Sequence, residues 1–251
     1  MDLGLSGKVA LVTGAGQGIG RVIGLYLAQE GARVAFHYHG SKAGAESAIS
    51  EGGKEGKAMT VGYDLRDLTH LGELVATVEE SLGPIDILVN NAAWTQSLPF
   101  LESTSADYLR EFEVTVFATM ALSREVLKGM VERKCSGSVI TIAGDAGRIG
   151  ESRLAVTAAA RAAEMAFAKS IAKEFGRYRI RSNVVSLGLV EKPDSPLHFD
   201  ETQLDRLIRM YPLRRLGQVD DIAPLVALLA SDLSAWITGQ VISINGGYAT
   251  N

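Results

Sequence analysis

Cysteine is almost missing from this chain: among 251 residues Cys135 stands alone. A lone thiol, set just after a helix-length stretch, excludes an intrachain disulfide and any metal site built on several cysteines, and it fits a reducing compartment. No metal site is expected. An excess of positive charge is missing too. Lys and Arg number 25 against 29 Asp and Glu, a formal net charge of -4, so there is no electrostatic footprint for nucleic acid or an anionic membrane. No apolar run reaches the roughly 18 residues that a spanning helix needs. The opening "MDLGLSGKVALVTG" has no basic region followed by an apolar run and a small-residue cleavage site. The expected location is the cytoplasm, with neither nucleic acid nor membrane as a partner.

What is present is apolar surface in short pieces. With 47% hydrophobic and 22% charged residues, the chain can bury one large core, and a single domain over 1–251 is expected. Short β-branched runs occur at 8–14, 33–39, 58–64, 85–91, 137–144, 180–188 and 240–246, with helix-length stretches at 18–30, 68–82, 106–133, 155–176 and 219–231. Strands buried on both faces and alternating with helices imply right-handed crossovers into a parallel sheet. The spacing therefore predicts a doubly wound α/β domain with about seven strands. One irregular interval, 189–217, carries three of the six prolines and lies past a strand's carboxyl end, which makes it a candidate lid.

The octapeptide "TGAGQGIG" (13–20) follows the first strand and opens the first helix. There Gly14 allows a tight turn, Gly18 lets the backbone approach a pyrophosphate and Gly20 permits close packing of helix on strand, while the helix N-terminus offers unpaired N–H groups. Together with "YDL" (63–65), "NNAA" (90–93) and "ITGQVISINGG" (237–247), it resembles the short-chain dehydrogenase/reductase family over almost the whole chain. The resemblance implies a seven-stranded Rossmann fold, bound NAD or NADP, and a dimer or tetramer built on two long helices, here about 106–133 and 155–176. It places Gly14, Gly18, Ile19 and Gly20 at the pyrophosphate, Asp64 and Leu65 at the adenine, and Asn91 and Ala92 at the adenine-side ribose, with Gln17 and Tyr38 also counted among the cofactor-binding positions. On the residues alone, "NNAA" also reads as a strand end held by asparagine hydrogen bonds.

Cofactor choice turns on the end of the second strand. Users of NAD place an acid there to bind the ribose 2′-hydroxyl, but "AFHYHGSK" (35–42) puts Tyr38 at that position. With no carboxylate to repel a 2′-phosphate the pattern leans to NADP, with Ser41 or Lys42 as contacts. His37 and His39 are further candidates for that contact, and they read equally as surface histidines at the edge of the sheet, which is the preferred reading. The cofactor site is also compatible with a chain that binds no nucleotide at all.

Family chemistry, as the resemblance implies it, is hydride transfer coupled to proton transfer by a tyrosine. A phenol titrates near 10, so a lysine one helical turn on is needed to lower its pKa. A serine about thirteen residues earlier polarises the substrate oxygen, and an asparagine in the preceding long helix anchors a water relay. This chain departs from the pattern at all four positions: Gly144 for the serine, Thr157 for the tyrosine, Arg161 for the lysine and Thr115 for the asparagine. No tyrosine occurs between Tyr108 and Tyr178, so a shift of register restores nothing. Thr157 does not ionise usefully near neutrality, and Arg161 can hold a ribose or phosphate but cannot trade a proton. Leu187, Lys192 and Ala93 replace the family's usual proline, threonine and glycine around the nicotinamide. Asp145, Arg148, Glu151, His198 and Tyr211 stand near enough in sequence to be weighed as substitutes, yet their spacing imitates no proton relay.

Three readings share the fold. The first is a non-catalytic subunit, structural or regulatory, that assembles through the two long helices as a homo- or hetero-oligomer with an active paralogue, one option being a dehydrogenase of hydroxyacyl-CoA compounds. The second is an NAD(P)-dependent oxidoreductase interconverting alcohol and ketone with unconventional acid–base residues. The third is a nucleotide-sensing binding protein, or a lyase or isomerase using the same pocket.

Overall fold

The computed structural model describes residues 2–52, 57–192 and 199–250. Seven parallel strands form the sheet: β1 (Val9–Val12), β2 (Arg33–Tyr38), β3 (Ala58–Gly62), β4 (Ile87–Asn90), β5 (Gly137–Gly144), β6 (Ile180–Leu187) and, last in the chain, Val241–Ile244. Two further short strands, β7 (Val190–Glu191) and β8 (Gly217–Gln218), pair only with each other, so the last sheet strand is β9. Strand order in the sheet is β3-β2-β1-β4-β5-β6-β9. All seven strands fall inside the seven runs expected from the sequence.

Helices cover both faces. α1 (Gly18–Gln29), α2 (Lys42–Gly52), α3 (Leu71–Leu82), α4 (Ser105–Phe112) and α5 (Ala118–Glu132) precede β5; α6 (Ala146–Ile149), α7 (Ala155–Phe175), α8 (Glu201–Met210) and α9 (Ala223–Ala230) follow it. The core is double, as a two-faced sheet requires. Phe36, Val12 and Val89 meet α1 and α9 on one side, whereas Leu11, Leu88 and Val139 meet α3 and α5 on the other.

Two features differ from the sequence reading. The helix expected over 106–133 is a run in which α4 and α5 are joined by a π-helical stretch, Glu113–Phe117. That wider turn holds Thr115 against the chain after β4. The interval 189–217 is also not an irregular insert throughout: β7 and β8 pair at its neck, and α8 starts on a capping box in which Asp200 accepts from the Gln203 N–H at 2.8 Å. His198 lies outside the described residues. Among the described residues, no helix is long and apolar enough to cross a membrane and no group of side chains could hold a metal ion.

Strand order reverses between β1 and β4, because the chain runs outward through β2 and β3 and then returns to the other side of β1. A crevice opens at the carboxyl ends of the strands at such a reversal. A large cavity lies there.

Candidate functional site

The cavity has a volume of about 780 Å3 and is bounded on one side by Gly14, Gln17, Gly18 and Ile19. The turn that carries them is held by sequence-specific contacts. Gly14 has φ +62°, a left-handed conformation that costs a side-chain-bearing residue energy. Asn91, just past β4, donates its Nδ2 to the Thr13 carbonyl at 2.9 Å, and Thr13 Oγ1 accepts the Asn91 and Ala92 N–H groups at 2.9 and 3.0 Å. A Cβ on Gly20 would stand 2.4 Å from that same Asn91 amide, so Gly20 supports the turn from behind and does not line the cavity. The hydrogen-bond reading of "NNAA" therefore holds, and Asn91 and Ala92 line the cavity as well.

At the end of β2 the structure corrects two expectations. His37 is buried, because β3 lies outside β2 and leaves it no free edge. Its Nδ1 accepts the Gly14 N–H at 3.1 Å and its Nε2 faces the Tyr63 carbonyl at 3.1 Å, which fixes the neutral ring. Desolvation drives its pKa down to about 4. Tyr38 is the second correction: successive strand residues point to opposite faces, so its ring turns away from the cavity and packs over Gly62. The wall there is made by His39, Gly40 and Ser41. Lys42 instead pairs with Glu46 at 3.6 Å on α2. Asp64 and Leu65 do line the cavity, and Asp64 is ion-paired to Arg66 at 2.6 Å, which holds its carboxyl down at about 2.

The chemistry end is built differently. Thr157 is buried on α7 and donates its hydroxyl to Glu111 Oε2 at 3.0 Å, turned into the protein and outside the cavity lining. Burial pushes the Glu111 carboxyl up. Arg161 lines the cavity but spends Nη1 on the Ile142 carbonyl at 3.2 Å and on Glu164 Oε2 at 3.0 Å. Glu164 is buried, with its other oxygen 3.4 Å from the Thr119 hydroxyl, and desolvation raises its pKa to about 7. Thr115 is also buried and receives the Trp94 N–H at 3.3 Å. Gly144 ends β5 with open space: nothing lies nearer to a Cβ there than the Leu187 carbonyl at 3.9 Å.

Among the described residues, the substitutes weighed from the sequence do not line the main cavity. Asp145 is buried between β5, β6 and β9, where it accepts hydrogen bonds from Ser186 at 2.5 Å, Ser243 at 3.1 Å and Asn245. Tyr211 stacks on Tyr248 and takes the Leu189 N–H at 2.9 Å, lining a separate cavity of about 180 Å3. Neither Arg148 nor Glu151 lines either cavity. The sequence reading overlooked Glu111, Glu164, Arg66, Trp94 and Arg110. The three-residue step from Arg161 to Glu164 on one helical face was the available signal for one of these pairs.

A doubly wound parallel sheet with a glycine-turn crevice at its strand reversal defines a dinucleotide-binding type of α/β protein. Comparison with known proteins gives the family. A family model described as enoyl-(acyl carrier protein) reductase matches residues 14–249. The chain is 34% identical over 252 residues to a short-chain type dehydrogenase/reductase of Picea abies, covering 97% of this chain and 93% of that protein. It is 34% identical over 245 residues to the 3-oxoacyl-(acyl carrier protein) reductase of Escherichia coli, covering 98% of each. An uncharacterized oxidoreductase of Methylorubrum extorquens is 36% identical over 248 residues, covering 97% of this chain and 98% of that protein. The chain belongs to the short-chain dehydrogenase/reductase family, whose members generally bind NAD(P)H.

Proposed function

We propose that this chain is a non-catalytic member of its oxidoreductase family, acting as a structural or regulatory subunit beside an active dehydrogenase. The observation that carries this reading is the arrangement of Thr157 and Arg161. Thr157 is turned onto buried Glu111, and Arg161 is tied to Glu164 and the Ile142 carbonyl. Among the described residues neither position therefore presents a side chain able to exchange a proton near neutrality where the family's chemistry needs one; Glu164, which titrates at about 7, is buried behind Arg161 and outside the cavity lining. His37, which does line the cavity, is locked neutral in hydrogen bonds to the main chain of the glycine turn and of Tyr63.

The crevice keeps its nucleotide end. The residues there fit an adenine dinucleotide, and the absence of a carboxylate from His39, Gly40 and Ser41 favours the 2′-phosphorylated form. Assembly through α4–α5 and α7 is supported by surface chemistry. Phe117 and Met120 are exposed on the first run, and Ala155, Ala159, Ala162 and Ala166 expose small side chains on α7, which lets a second helix approach closely. The relatives named for acyl-carrier-protein substrates favour an acyl thioester dehydrogenase as the partner, a hydroxyacyl-CoA enzyme among them. Native mass spectrometry of the complex purified from its source tests this. The expected result is a stoichiometric active paralogue, with no nicotinamide turnover by the isolated chain; a homo-oligomer that oxidises or reduces the cofactor overturns it.

A further inference from the structure

The cations that line the main cavity are engaged to different degrees. Arg66 is paired with Asp64, and Arg161 gives Nη1 to the Ile142 carbonyl and to Glu164. Lys192, just past β7, offers a point charge and not a fork of donors. Arg110 is placed differently. It stands in the last turn of α4 with its guanidinium carbon 4.7 Å from the centre of the Trp94 ring, and Trp94 lines the cavity beside it. Among the described residues none accepts a hydrogen bond from that guanidinium. Asp107, the acid one turn back, is committed to the cap of α4, where it accepts from the Thr104 N–H and hydroxyl at 2.8 Å each.

The platform under Arg110 is built by a departure from the family pattern. Thr115, at the family's asparagine position, accepts the Trp94 N–H at 3.3 Å and donates its hydroxyl to the Trp94 carbonyl at 3.4 Å. The main chain of Trp94 is thereby tied to the π-helical turn that follows α4, so ring and guanidinium come from two segments fixed to each other. A cation over an aromatic face is held without spending its N–H donors. The partner that fits a guanidinium fork is a planar carboxylate, taken by two parallel hydrogen bonds. The lining at the ends of β5 and β6 is apolar, with Ile142, Ala143 and Leu187, and Val114 stands one turn on from Arg110.

We infer that the chemistry end of the crevice holds a small monocarboxylate with an apolar body, its carboxylate on Arg110 over Trp94 and its body against the ends of β5 and β6. Such a ligand gives a subunit without chemistry a regulatory input. The inference rests on the reading of the crevice as a ligand site, and the choice of a carboxylate rests on Arg110 and Trp94.

The chain has two tryptophans and Trp236 is fully exposed, so Trp236→Phe leaves Trp94 as the sole indole. Titration of that full-length variant at constant ionic strength with hexanoate, and with hexanamide as a neutral body of the same length, reads the site through Trp94 fluorescence. Hexanoate changes the emission and binds about fivefold more tightly than hexanamide. Arg110→Gln removes that preference, and Arg110→Lys, which keeps the charge without the fork, recovers less than half of it. Arg110 is exposed on α4, so both variants fold as the parent does, which matching thermal melts verify. Hexanamide binding as tightly as hexanoate, inorganic phosphate binding more tightly than hexanoate, a preference that survives Arg110→Gln, or no response to any of the three overturns the inference. Turnover of a pyridine nucleotide by the isolated chain, by contrast, overturns the non-catalytic reading and leaves the binding order to decide this one.

Discussion

The two ends of one cavity have had different fates. At the nucleotide end the work is done by backbone: a left-handed glycine, a helix N-terminus, and Asn91 and Thr13 tying the turn to the end of β4. Those contacts also hold β1 to β4, so the fold itself depends on them. At the chemistry end the work requires particular side chains with particular pKa values, and no strand or turn depends on them. Thr157 and Arg161 occupy those positions with bonds to Glu111 and Glu164 that serve packing. A main-chain turn of this kind is therefore held in place by the fold itself, because it is also structural, whereas the side chains of a proton relay are not.

The strongest way to break this comparison is to rebuild the missing chemistry. Gly144→Ser, Thr157→Tyr and Arg161→Lys together restore the family's residue types, and losing a proton donor or an oxyanion-polarising hydroxyl costs about 10²- to 10⁴-fold each. The triple variant is expected to show no carbonyl reduction, measured as NADPH consumption. Space is not the obstacle at 144, where a Cβ meets nothing within 3.4 Å. The obstacles are Leu187 and Lys192 in the cavity wall and the buried Glu111 carboxylate, against which a tyrosine at 157 must pack. Measurable reduction would show that the loss is confined to the replaced residues.

Stability gives the next largest effect. Arg161→Ala removes the hydrogen bonds to Glu164 and to the Ile142 carbonyl; Glu164, which titrates at about 7, then takes up a proton, so the cost is expected at about 1–3 kcal/mol. Arg161→Met combined with Glu164→Leu removes both charges and is expected to recover most of that, read by urea denaturation. A single variant as stable as the parent would mean that the pair contributes nothing to packing.

These buried carboxylates also show where sequence reasoning stops. The seven strands were legible because each is a short apolar run between helix-length stretches, and the glycine turn because its residue types follow from main-chain geometry. α8 carried a readable signal in Asp200 and Gln203, three residues apart, while α2, "KAGAESAISEG", is too short and too weakly amphipathic to stand out. His37 and Tyr38 were misjudged because strand order decides which strand is an edge, and order is not written in any local pattern. Glu111 and Glu164 were missed for a related reason: a glutamate on a helix reads as solvated unless the packing of α4 against α7 is known.

At the nucleotide end an effect of like size is expected from Gly20→Ala. Its Cβ would stand 2.4 Å from Asn91 Nδ2 and 2.5 Å from the Gly14 carbonyl, so the backbone of the turn must shift. Overpacking of this kind costs about 1–3 kcal/mol, and a thermal melt that left the parent value unchanged would remove the structural role assigned to the turn.

The finest contrast is in pH, where the two ends oppose each other. Glu164 titrates at about 7 in the folded chain against an ordinary 4.5, so the native state binds the extra proton. Its contribution to stability is complete below pH 4.5 and is lost as pH rises through about 7. His37 titrates at about 4 against an ordinary 6.5. Its contribution is complete above 6.5 and is lost as pH falls through about 4. Between these limits the two slopes, each at most about 1.4 kcal/mol per pH unit, cancel. Glu164→Gln removes one side of the balance. Relative to the parent, that variant should lose urea resistance on acidification from pH 6.5 to 4.5, and His37→Gln should gain it. Parallel pH profiles for parent and variants would mean that neither group is as deeply desolvated as its packing indicates.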